Sequence, residues 1–427
     1  MAKHTNIRKT TKEEMTERHK SLQLARVCSF IIAVAIAFCL GFILRGNDVI
    51  MQFLGIDRPS VANSNPGLTT SGNTYDSIGA RVAEVEGLLS SESLINYDLS
   101  AATSACLNSF AGSINDPYLT YFDEARYRNY VSEASSNTNA GIGVLLSEHD
   151  GNVFAVDVFD NGPAAAAGVV QNDMIVAIGG NNVEDWTATE IANALSKEEG
   201  NEVVVTWRRT TVSGSNSGTE EFTTTITCSR SSKENVSTDL VDEVGYIKLR
   251  QLTKNSADLV AAALSDLSSR GARAFVFDLR DCPGGYLSQA VDIASLFITS
   301  GNVVQIQTAE ELTSKAVSGV TKTNAPLVVL INSNTAAAAE VLAAALQDSK
   351  RATLVGLTTL GKGSVQVIRE LSFGGALRYT AARYISPAGH ELSNSGVSPD
   401  IRVTLASDGT DNQLSIAYET ALNLIVG

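Results

Sequence analysis

The stretch that decides the fold is Pro326-Leu-Val-Val-Leu-Ile331, followed by Asn332-Ser-Asn-Thr335 and Ala336-Ala-Ala-Ala-Glu-Val-Leu-Ala-Ala-Ala-Leu346. A short apolar run rich in branched residues is typical of a buried strand. The polar turn ends at Thr335, a candidate helix cap, and the residues that follow are strong helix formers. A strand, a sharp turn and a helix in this order place a side chain beside the free amide groups of the helix start.

Strands and helices alternate on both sides of this stretch. Downstream, the strand Ala352-Thr-Leu-Val-Gly356 leads into Gly361-Lys-Gly-Ser-Val-Gln366, where two glycines flank Lys362 and allow backbones to approach closely. Upstream, the pattern predicts a strand, an amphipathic helix and a buried strand over 245–249, 256–267 and 273–279. Such alternation predicts right-handed crossovers and an α/β sheet.

The motifs of this region resemble those of the carboxyl-terminal processing peptidases, also called tail-specific proteases. The resemblance rests on Asn334-Thr-Ala-Ala-Ala-Ala-Glu-Val341, Ala345-Leu-Gln-Asp348 and Gly361-Lys-Gly-Ser-Val-Gln366. It implies a serine nucleophile with Lys362 as general base, and Gln366 as the residue that hydrogen-bonds and orients the lysine amine. The family's nucleophile lies 25 positions before the lysine, and this chain has Ala337 there.

Because alanine occupies position 337, we predict that the chain has the other catalytic residues of the protease but no nucleophile. One account is an inactivating Ser→Ala change introduced into a protease. The alternative is a natural pseudopeptidase that binds protein tails as a scaffold and does not cut them. The retention of Lys362, Gln366 and the glycine turn described next favours the introduced change.

A glycine turn is the third part of the predicted site. Asp278-Leu-Arg-Asp-Cys-Pro-Gly-Gly285 resembles the family's turn that donates an amide to the oxyanion hole. The resemblance implies oxyanion amides from Gly284 or Gly285 and from Ala338, after the nucleophile position. A strand-to-helix turn needing positive φ explains the same glycines, and both interpretations can hold. Cys282 beside the turn is interpreted as an inert small residue; the alternative is a thiol nucleophile.

A β-rich segment over 136–212 resembles a PDZ domain. Gly141-Ile-Gly-Val144 opens a strand, helices are predicted at 162–168 and 187–195, and 203–207 is the predicted closing strand. PDZ domains add a peptide's carboxyl terminus to a sheet edge and hold its carboxylate in a nest of amides. The resemblance makes the amides of Gly141, Ile142 and Gly143 candidates for that nest, although a structural turn explains Gly-x-Gly almost as well.

The amino-terminal region predicts a membrane anchor. Residues 1–26 contain seven Lys or Arg against three Glu, and 27–44 are 18 residues without a charge. At about 1.5 Å per residue this run spans roughly 27 Å, enough for a bilayer core. The basic flank predicts a single-pass protein of the cell membrane, with a cytoplasmic amino terminus and an extracytoplasmic catalytic region. The alternative is a cleaved signal peptide, but signal peptides usually have a shorter apolar region with a cleavage site close behind it.

These patterns predict a multidomain α/β protein. The predicted layout is a cytoplasmic basic arm over 1–26, a transmembrane anchor over 27–44, a stalk over 45–75, a helical region over 76–135, a PDZ-like domain over 136–212, a serine protease core over 213–405 and a carboxyl-terminal helical segment over 406–427. The helical region contains Asp116-Pro-Tyr-Leu-Thr-Tyr121, which resembles a family motif and is interpreted as a helix-ending turn with packed aromatics.

Composition and residue spacing exclude several other chemistries. The 427 residues carry a net charge of −14, which argues against nucleic acid as a partner. His4 and His19 lie on the cytoplasmic side of the predicted anchor, and neither His149 nor His390 follows a zinc-ligand spacing, so no metal and no other cofactor is expected. The expected partners are proteins or peptides with free carboxyl termini and the membrane, and a homo-oligomer is left open.

Overall fold

The computed structural model describes residues 77–134, 140–213, 216–230, 234–406 and 409–426. The predicted arm, anchor and stalk over 1–75 lie outside these residues. Among the helices of the described ranges, none has the length and apolar character needed to cross a membrane. Contacts divide the chain after Asn96 into two units, and everything from Tyr97 onward belongs to the second.

The elements of the first half of the chain contain the predicted helical and PDZ-like regions. In chain order they are α1 (Ile78–Glu92), α2 (Leu99–Gly112), β1 (Thr120–Phe122), α3 (Glu124–Ala134), β2 (Val144–His149), β3 (Asn152–Val158), α4 (Pro163–Ala166), β4 (Met174–Ile178), β5 (Asn181–Asn182), α5 (Ala188–Leu195), β6 (Glu202–Ser213) and β7 (Asn216–Thr227).

The elements of the second half belong to the predicted protease core and to the predicted carboxyl-terminal helical segment. They are β8 (Val236–Val241), β9 (Val244–Leu249), α6 (Ser256–Ser269), β10 (Ala274–Asp278), α7 (Leu287–Phe297), β11 (Asn302–Thr308), β12 (Leu312–Ala316), β13 (Leu327–Ile331), α8 (Ala338–Asp348), β14 (Thr353–Gly356), β15 (Ser364–Glu370), β16 (Ala376–Ile385), β17 (Ile401–Arg402) and α9 (Asn412–Val426).

The core is a six-stranded sheet between two layers of helices. Its strand order is β17-β14-β13-β10-β9-β8, and neighbouring strands are parallel except in the β8-β9 hairpin. Apolar residues of α6, α7 and α8 pack against one face, and those of α9 pack against the other. Burial on both faces explains why β10 and β13 are continuous apolar runs in the sequence. The predicted α/β architecture is confirmed.

The PDZ-like region is a separate sheet with its own apolar core around Trp207. The strand order is β2-β3-β4-β6-β7, with β5 paired to β4. Strands β6 and β7 form a hairpin whose first pair is Glu202 with Thr227 and whose last pair is Ser213 with Asn216. The sheet therefore extends beyond residue 212, where the sequence placed the end of the domain. In the polar Ser/Thr/Gly run over 210–220, for which the sequence indicates a hairpin or a loop, residues 210–213 and 216–220 form the paired ends of β6 and β7, as suits threonine, which is β-branched and favours strands.

A third, antiparallel sheet joins the helical region to the core. Its order is β1-β16-β11-β12, with β15 paired to β16. Strand β1 comes from the Asp116 motif, whose carboxylate accepts hydrogen bonds from the amide and hydroxyl of Thr380 on β16, at 2.9 and 3.0 Å. The motif is therefore fixed beside the strands that follow Lys362.

Candidate active site

The predicted nucleophile position lies at a strained turn between β13 and α8. Ala337 has φ 51° and ψ −119°, a backbone conformation that a non-glycine residue rarely adopts. Its side chain is partly exposed, whereas Ala336 and Ala338 are buried. The turn therefore presents residue 337 outward at the end of the buried strand, as the sequence predicts.

The helix begins later than predicted because Thr335 is used elsewhere. Its hydroxyl donates to the Leu279 carbonyl at 2.8 Å and accepts from the Asn332 amide at 3.0 Å. The first helical residue is Ala338, and the capping contact comes from the Glu340 carboxylate, which accepts from the Ala337 amide at 2.8 Å. Thr335 thus ties the turn to Leu279, the residue that follows β10, and does not cap the helix.

Glu340 joins the nucleophile turn to the lysine loop. Its fully buried carboxylate accepts four hydrogen bonds, from the amides of Ala337, Gly361 and Lys362 and from the Thr359 hydroxyl, at 2.6 to 2.8 Å. Burial raises the pKa of Glu340, and these hydrogen bonds oppose the rise. The amides of Ala337 and Lys362 donate to the same oxygen, Oε2, so residue 337 and the lysine backbone lie two hydrogen bonds apart.

The Lys362 amine lies in an enclosed environment built from distant segments. Nζ donates to the backbone carbonyl of Glu148, the next-to-last residue of β2, at 2.8 Å. The Glu148 side chain is itself buried and forms a two-bond ion pair with Arg378 on β16, both bonds at 2.8 Å. The amine also lies 5.1 Å from the centre of the Tyr118 ring.

Burial lowers the pKa of Lys362 to about 8. The nearby charges act in both directions, because Glu148 and Glu340 raise the pKa and Arg378 lowers it. Loss of water around the ammonium is the largest effect, since a charged group is disfavoured where it cannot be solvated. A lysine with this pKa is partly neutral near pH 8, as a general base must be.

Gln366 does not hold the Lys362 amine in this structure. In the described part of the chain its side-chain amide donates to the hydroxyls of Ser364 at 2.8 Å and Thr380 at 3.5 Å, while the lysine donates to Glu148. The cause is the strand register, which places Gln366 on β15 directly opposite Thr380 on β16. The hydrogen bond from Gln366 to the lysine, implied by the resemblance, is therefore replaced by contacts within the sheet.

The glycine turn lies against the nucleophile turn. A Cβ added to Gly284 would lie 2.9 Å from the Ala338 nitrogen and 3.0 Å from the Ala337 Cβ, so only glycine fits there. The Gly284 amide is directed at the Cys282 sulfur. Among the described residues, no acceptor is found for the amides of Gly285 and Ala338. Of the three predicted oxyanion amides, these two are free.

Cys282 has the properties of an inert core residue. It is fully buried, and burial raises the pKa of its thiol to about 12. Because the thiolate is the nucleophilic form, such a thiol is almost entirely protonated and unreactive at neutral pH. The geometry therefore favours the interpretation as a packed small residue over the thiol nucleophile.

The PDZ-like region contains an open groove between β2 and α5. Its volume is about 460 Å³, and it is lined by Gly141 to Leu146 on one side and by Ala188, Ala192 and Leu195 on the other. Strand β2 stands at one end of the sheet order, so its outer edge can pair with an added strand. All three predicted carboxylate-binding residues line this groove.

Two of these three residues have free amides. The Gly141 amide donates to the Ser229 carbonyl at 3.1 Å and is therefore engaged within the fold. In the described ranges no acceptor is found for the amides of Ile142 and Gly143, and Gly143 has φ 78°. Two successive free amides at a left-handed glycine form the kind of concavity that binds a carboxylate.

A lysine of lowered pKa beside a strained turn, together with an open groove at a sheet edge, is an arrangement typical of hydrolases that act on peptides. Sequence comparison agrees: residues 243–403 match Peptidase family S41, and residues 140–226 match the PDZ domain. The chain is 30% identical over 338 residues to a carboxyl-terminal-processing protease of Synechocystis, covering 76% of this chain and 77% of the relative. The chain belongs to the carboxyl-terminal processing proteases of peptidase family S41.

Two further comparisons agree with this assignment. The chain is 30% identical over 299 residues to the carboxy-terminal processing protease CtpA of Bacillus subtilis, covering 69% of this chain and 62% of the relative's length. A solved structure titled photosystem II D1 C-terminal processing protease superposes with a TM-score of 0.62 at 27% identity, covering 76% of this chain and 86% of that one. The family predicted from the sequence motifs is thus confirmed.

Four residues of the site were not assigned a role in it from the sequence. They are Glu340, Glu148, Arg378 and Tyr118, which hold or surround the lysine. Glu340 lies inside the motif of the nucleophile turn, one helical turn after position 337. Its role could therefore have been predicted from the sequence, as a carboxylate at the start of a buried helix. The contact of Glu148 with the lysine uses a backbone carbonyl, for which the sequence carries no signal.

Proposed function

We propose that this chain is a PDZ-guided carboxyl-terminal processing endopeptidase that uses a Ser-Lys site, and that Ala337 leaves it without hydrolytic activity. The observation that carries the proposal is the shared Glu340 oxygen, which brings the amides of residues 337 and 362 together. The amine of Lys362 has a pKa of about 8, as a base that works near neutral pH requires.

The mechanism follows from the position of each group, with serine at 337. The neutral Lys362 amine takes the proton of the hydroxyl as the oxygen attacks the peptide carbonyl carbon. The developing oxyanion accepts hydrogen bonds from the free amides of Ala338 and Gly285. The lysine ammonium then gives its proton to the leaving amine, and water, activated by the same lysine, hydrolyses the acyl-enzyme. Gln366 supports the lysine loop through Ser364 and Thr380.

The groove indicates the substrate class: a protein tail with a free carboxyl terminus and an apolar last residue. An extended tail would pair with the free edge of β2, and its carboxylate would accept hydrogen bonds from Ile142 and Gly143. The apolar wall formed by Ala188, Ala192 and Leu195 suits an apolar side chain. The names of the relatives, which describe processing of carboxyl termini, support the same class.

A tail-binding scaffold is the second candidate, and one observation favours it. Ala337 lacks the hydroxyl, while the groove keeps its free amides and apolar wall. The preserved lysine environment and oxyanion amides favour an introduced Ser→Ala change in an enzyme over a natural scaffold. A scaffold that binds tails without cutting them does not require a lysine with a lowered pKa.

A repair experiment separates the two candidates. The unmodified chain should bind a peptide with an apolar free-acid tail, bind its amidated twin much less and cleave neither. Ala337→Ser should cleave a substrate carrying the acid tail, in the presence of chelators, and adding Lys362→Ala should abolish cleavage. A repaired chain that binds the tail and stays inert is a scaffold, and equal binding of the two peptides would remove tail recognition from the proposal.

We also propose that the chain is anchored in the cell membrane with its catalytic region outside. The support is the uncharged run 27–44 between Arg26 and Arg45. Protease added to intact cells should digest the catalytic region and leave an amino-terminal tag protected. The reverse pattern would contradict this orientation.

A further inference from the structure

Tyr118 covers the amine of Lys362. The lysine Nζ lies 5.1 Å from the centre of the Tyr118 ring, and the Arg378 guanidinium carbon lies 5.8 Å from the same centre. The ring therefore lies within about 6 Å of two cations of the buried cluster. Only 5% of Tyr118 is exposed, so it excludes water from the space beside the amine.

The ring is held in place by contacts on both sides. The Tyr118 amide donates to the Asp116 carboxylate at 3.0 Å, and that carboxylate is fixed by Thr380. The Tyr118 hydroxyl accepts from the Asp150 amide, at the β2-β3 turn, at 3.3 Å. A ring fixed at its backbone and at its hydroxyl keeps one orientation, which a residue that only fills space would not need.

We propose that Tyr118 is a positioning residue for Lys362: its ring keeps water from the amine and holds the amine at the Glu148 carbonyl. The proposal rests on the function proposed above, in which Lys362 is the general base. It gives the Asp-Pro-Tyr motif a role in the reaction, in addition to the packing role predicted from the sequence.

Two effects of the ring on the ammonium oppose each other. Exclusion of water disfavours the charged form and can lower a lysine pKa by up to about 3–5 units. The negative face of the ring attracts the ammonium and raises the pKa by about one unit. The other charged groups near the amine are Glu148 on β2, Glu340 on α8 and Arg378 on β16. The pKa of Lys362, about 8, shows that exclusion of water dominates.

The test is an NMR titration of the Lys362 side chain in the unmodified, full-length Ala337 chain, so it needs no activity. The resonance of isotope-labelled Lys362 is assigned by its loss in Lys362→Arg. The titration midpoint should be near 8 in the parent chain and in Tyr118→Phe, which keeps the ring. In Tyr118→Ala, water enters and the midpoint should rise by about one unit or more toward the free-lysine value of about 10.4.

Two further variants complete the experiment. Tyr118→Leu keeps an apolar wall and removes the ring face, so the midpoint should fall below that of the parent; this variant decides the question if Tyr118→Ala does not fold. Tyr127→Ala is the matched control, because Tyr127 bonds to Glu370 and its loss should leave the midpoint unchanged. Unchanged midpoints in the folded Tyr118→Ala and Tyr118→Leu chains overturn the proposal.

The outcome is separable from that of the proposed function. In an active Ala337→Ser chain, the pH at which cleavage begins should rise together with the lysine midpoint in Tyr118→Ala, because the base works only when neutral. If the midpoint moves as expected but Ala337→Ser is inert, the ring contact stands and the proposed reaction fails. If Ala337→Ser cleaves and the midpoint does not move, the role of Tyr118 alone is wrong.

Discussion

The peptide groove and the catalytic centre both use free backbone amides, but they differ in what else they need. In the groove, the amides of Ile142 and Gly143 and an apolar wall are the groups proposed to hold a tail. In the proposed catalytic centre, the free amides of Gly285 and Ala338 can stabilise an oxyanion only when a side-chain oxygen attacks a peptide carbonyl beside them. We therefore expect one substitution at position 337 to remove hydrolysis and to leave the fold of both regions unchanged.

From this difference we expect binding and hydrolysis to be separable in this chain. The strained backbone of residue 337 persists with alanine because Glu340 and Gly284 hold the turn from both sides. The groove lies on another sheet and depends on β2 and α5. Changes at the catalytic centre should leave tail binding intact, and changes in the groove should weaken binding without altering the catalytic turn.

The largest effect should follow from removing the base. In an Ala337→Ser chain, Lys362→Ala should lower kcat by about 10²- to 10⁴-fold, the usual contribution of a positioned general base. Tail binding should be unchanged, because the groove does not include the lysine. Steady-state cleavage and fluorescence binding of the same peptide check both expectations.

The control for this prediction is Lys350→Ala, which removes an exposed lysine in the turn after α8 and should leave kcat unaltered. The rate of the Ala337→Ser chain should also rise with pH through about 8, because below that pH Lys362 is protonated and cannot accept a proton. A parallel loss of binding and cleavage in Lys362→Ala would mean that the two regions are not separable.

A smaller effect is expected on stability when the carboxylate between the two loops is changed. Glu340→Gln replaces an acceptor of four hydrogen bonds with a group that must point its own N–H donors at other donors. The free energy of unfolding should fall by about 2–3 kcal/mol, as measured by urea denaturation. Glu419→Gln, at an exposed position of α9, should change it by less than about 0.5 kcal/mol. Equal effects of the two substitutions would show that Glu340 does not join the loops.

The smallest effect is expected in the groove. Gly143→Ala places a Cβ at φ 78°, which costs about 1–2 kcal/mol and distorts the pair of free amides. Tail affinity should fall by about tenfold. Gly200→Ala is the matched control, since Gly200 has φ 90° and lies outside the groove, so it imposes similar strain without touching the tail. If both variants bind the tail as the parent does, the carboxylate is held elsewhere.

The local parts of the site could be predicted from the sequence because each belongs to one strand end. The turn after β13, the lysine between glycines and the Pro-Gly-Gly turn are continuous motifs, and the structure brings all three to the same edge of the core sheet. The groove residues were predicted for the same reason, since Gly141 to Gly143 immediately precede β2. Only the engaged amide of Gly141 required knowledge of its distant partner, Ser229.

The surroundings of the lysine could not be predicted because they combine segments far apart in the chain. Glu148 contacts Lys362 across 214 positions, and it does so with a backbone carbonyl that no residue pattern marks. The role of Gln366 depended on whether its amide faces the lysine or the neighbouring strand, and pairing with Thr380 decided that. The start of α8 was missed because the sequence does not show the strained φ of Ala337.

The central claim is that residue 337 is the position of the nucleophile, and a pre-steady-state burst tests it most directly. Ala337→Ser should release p-nitrophenol from a peptide p-nitrophenyl ester in a burst of one equivalent per chain, followed by slower turnover, when a separate peptide with a free-acid tail occupies the groove. After acid quench, mass spectrometry should locate the acyl group on the proteolytic fragment that contains position 337, and the unmodified chain should carry none. Acylation of any other residue, or cleavage of tail peptides by the unmodified Ala337 chain, would contradict the claim.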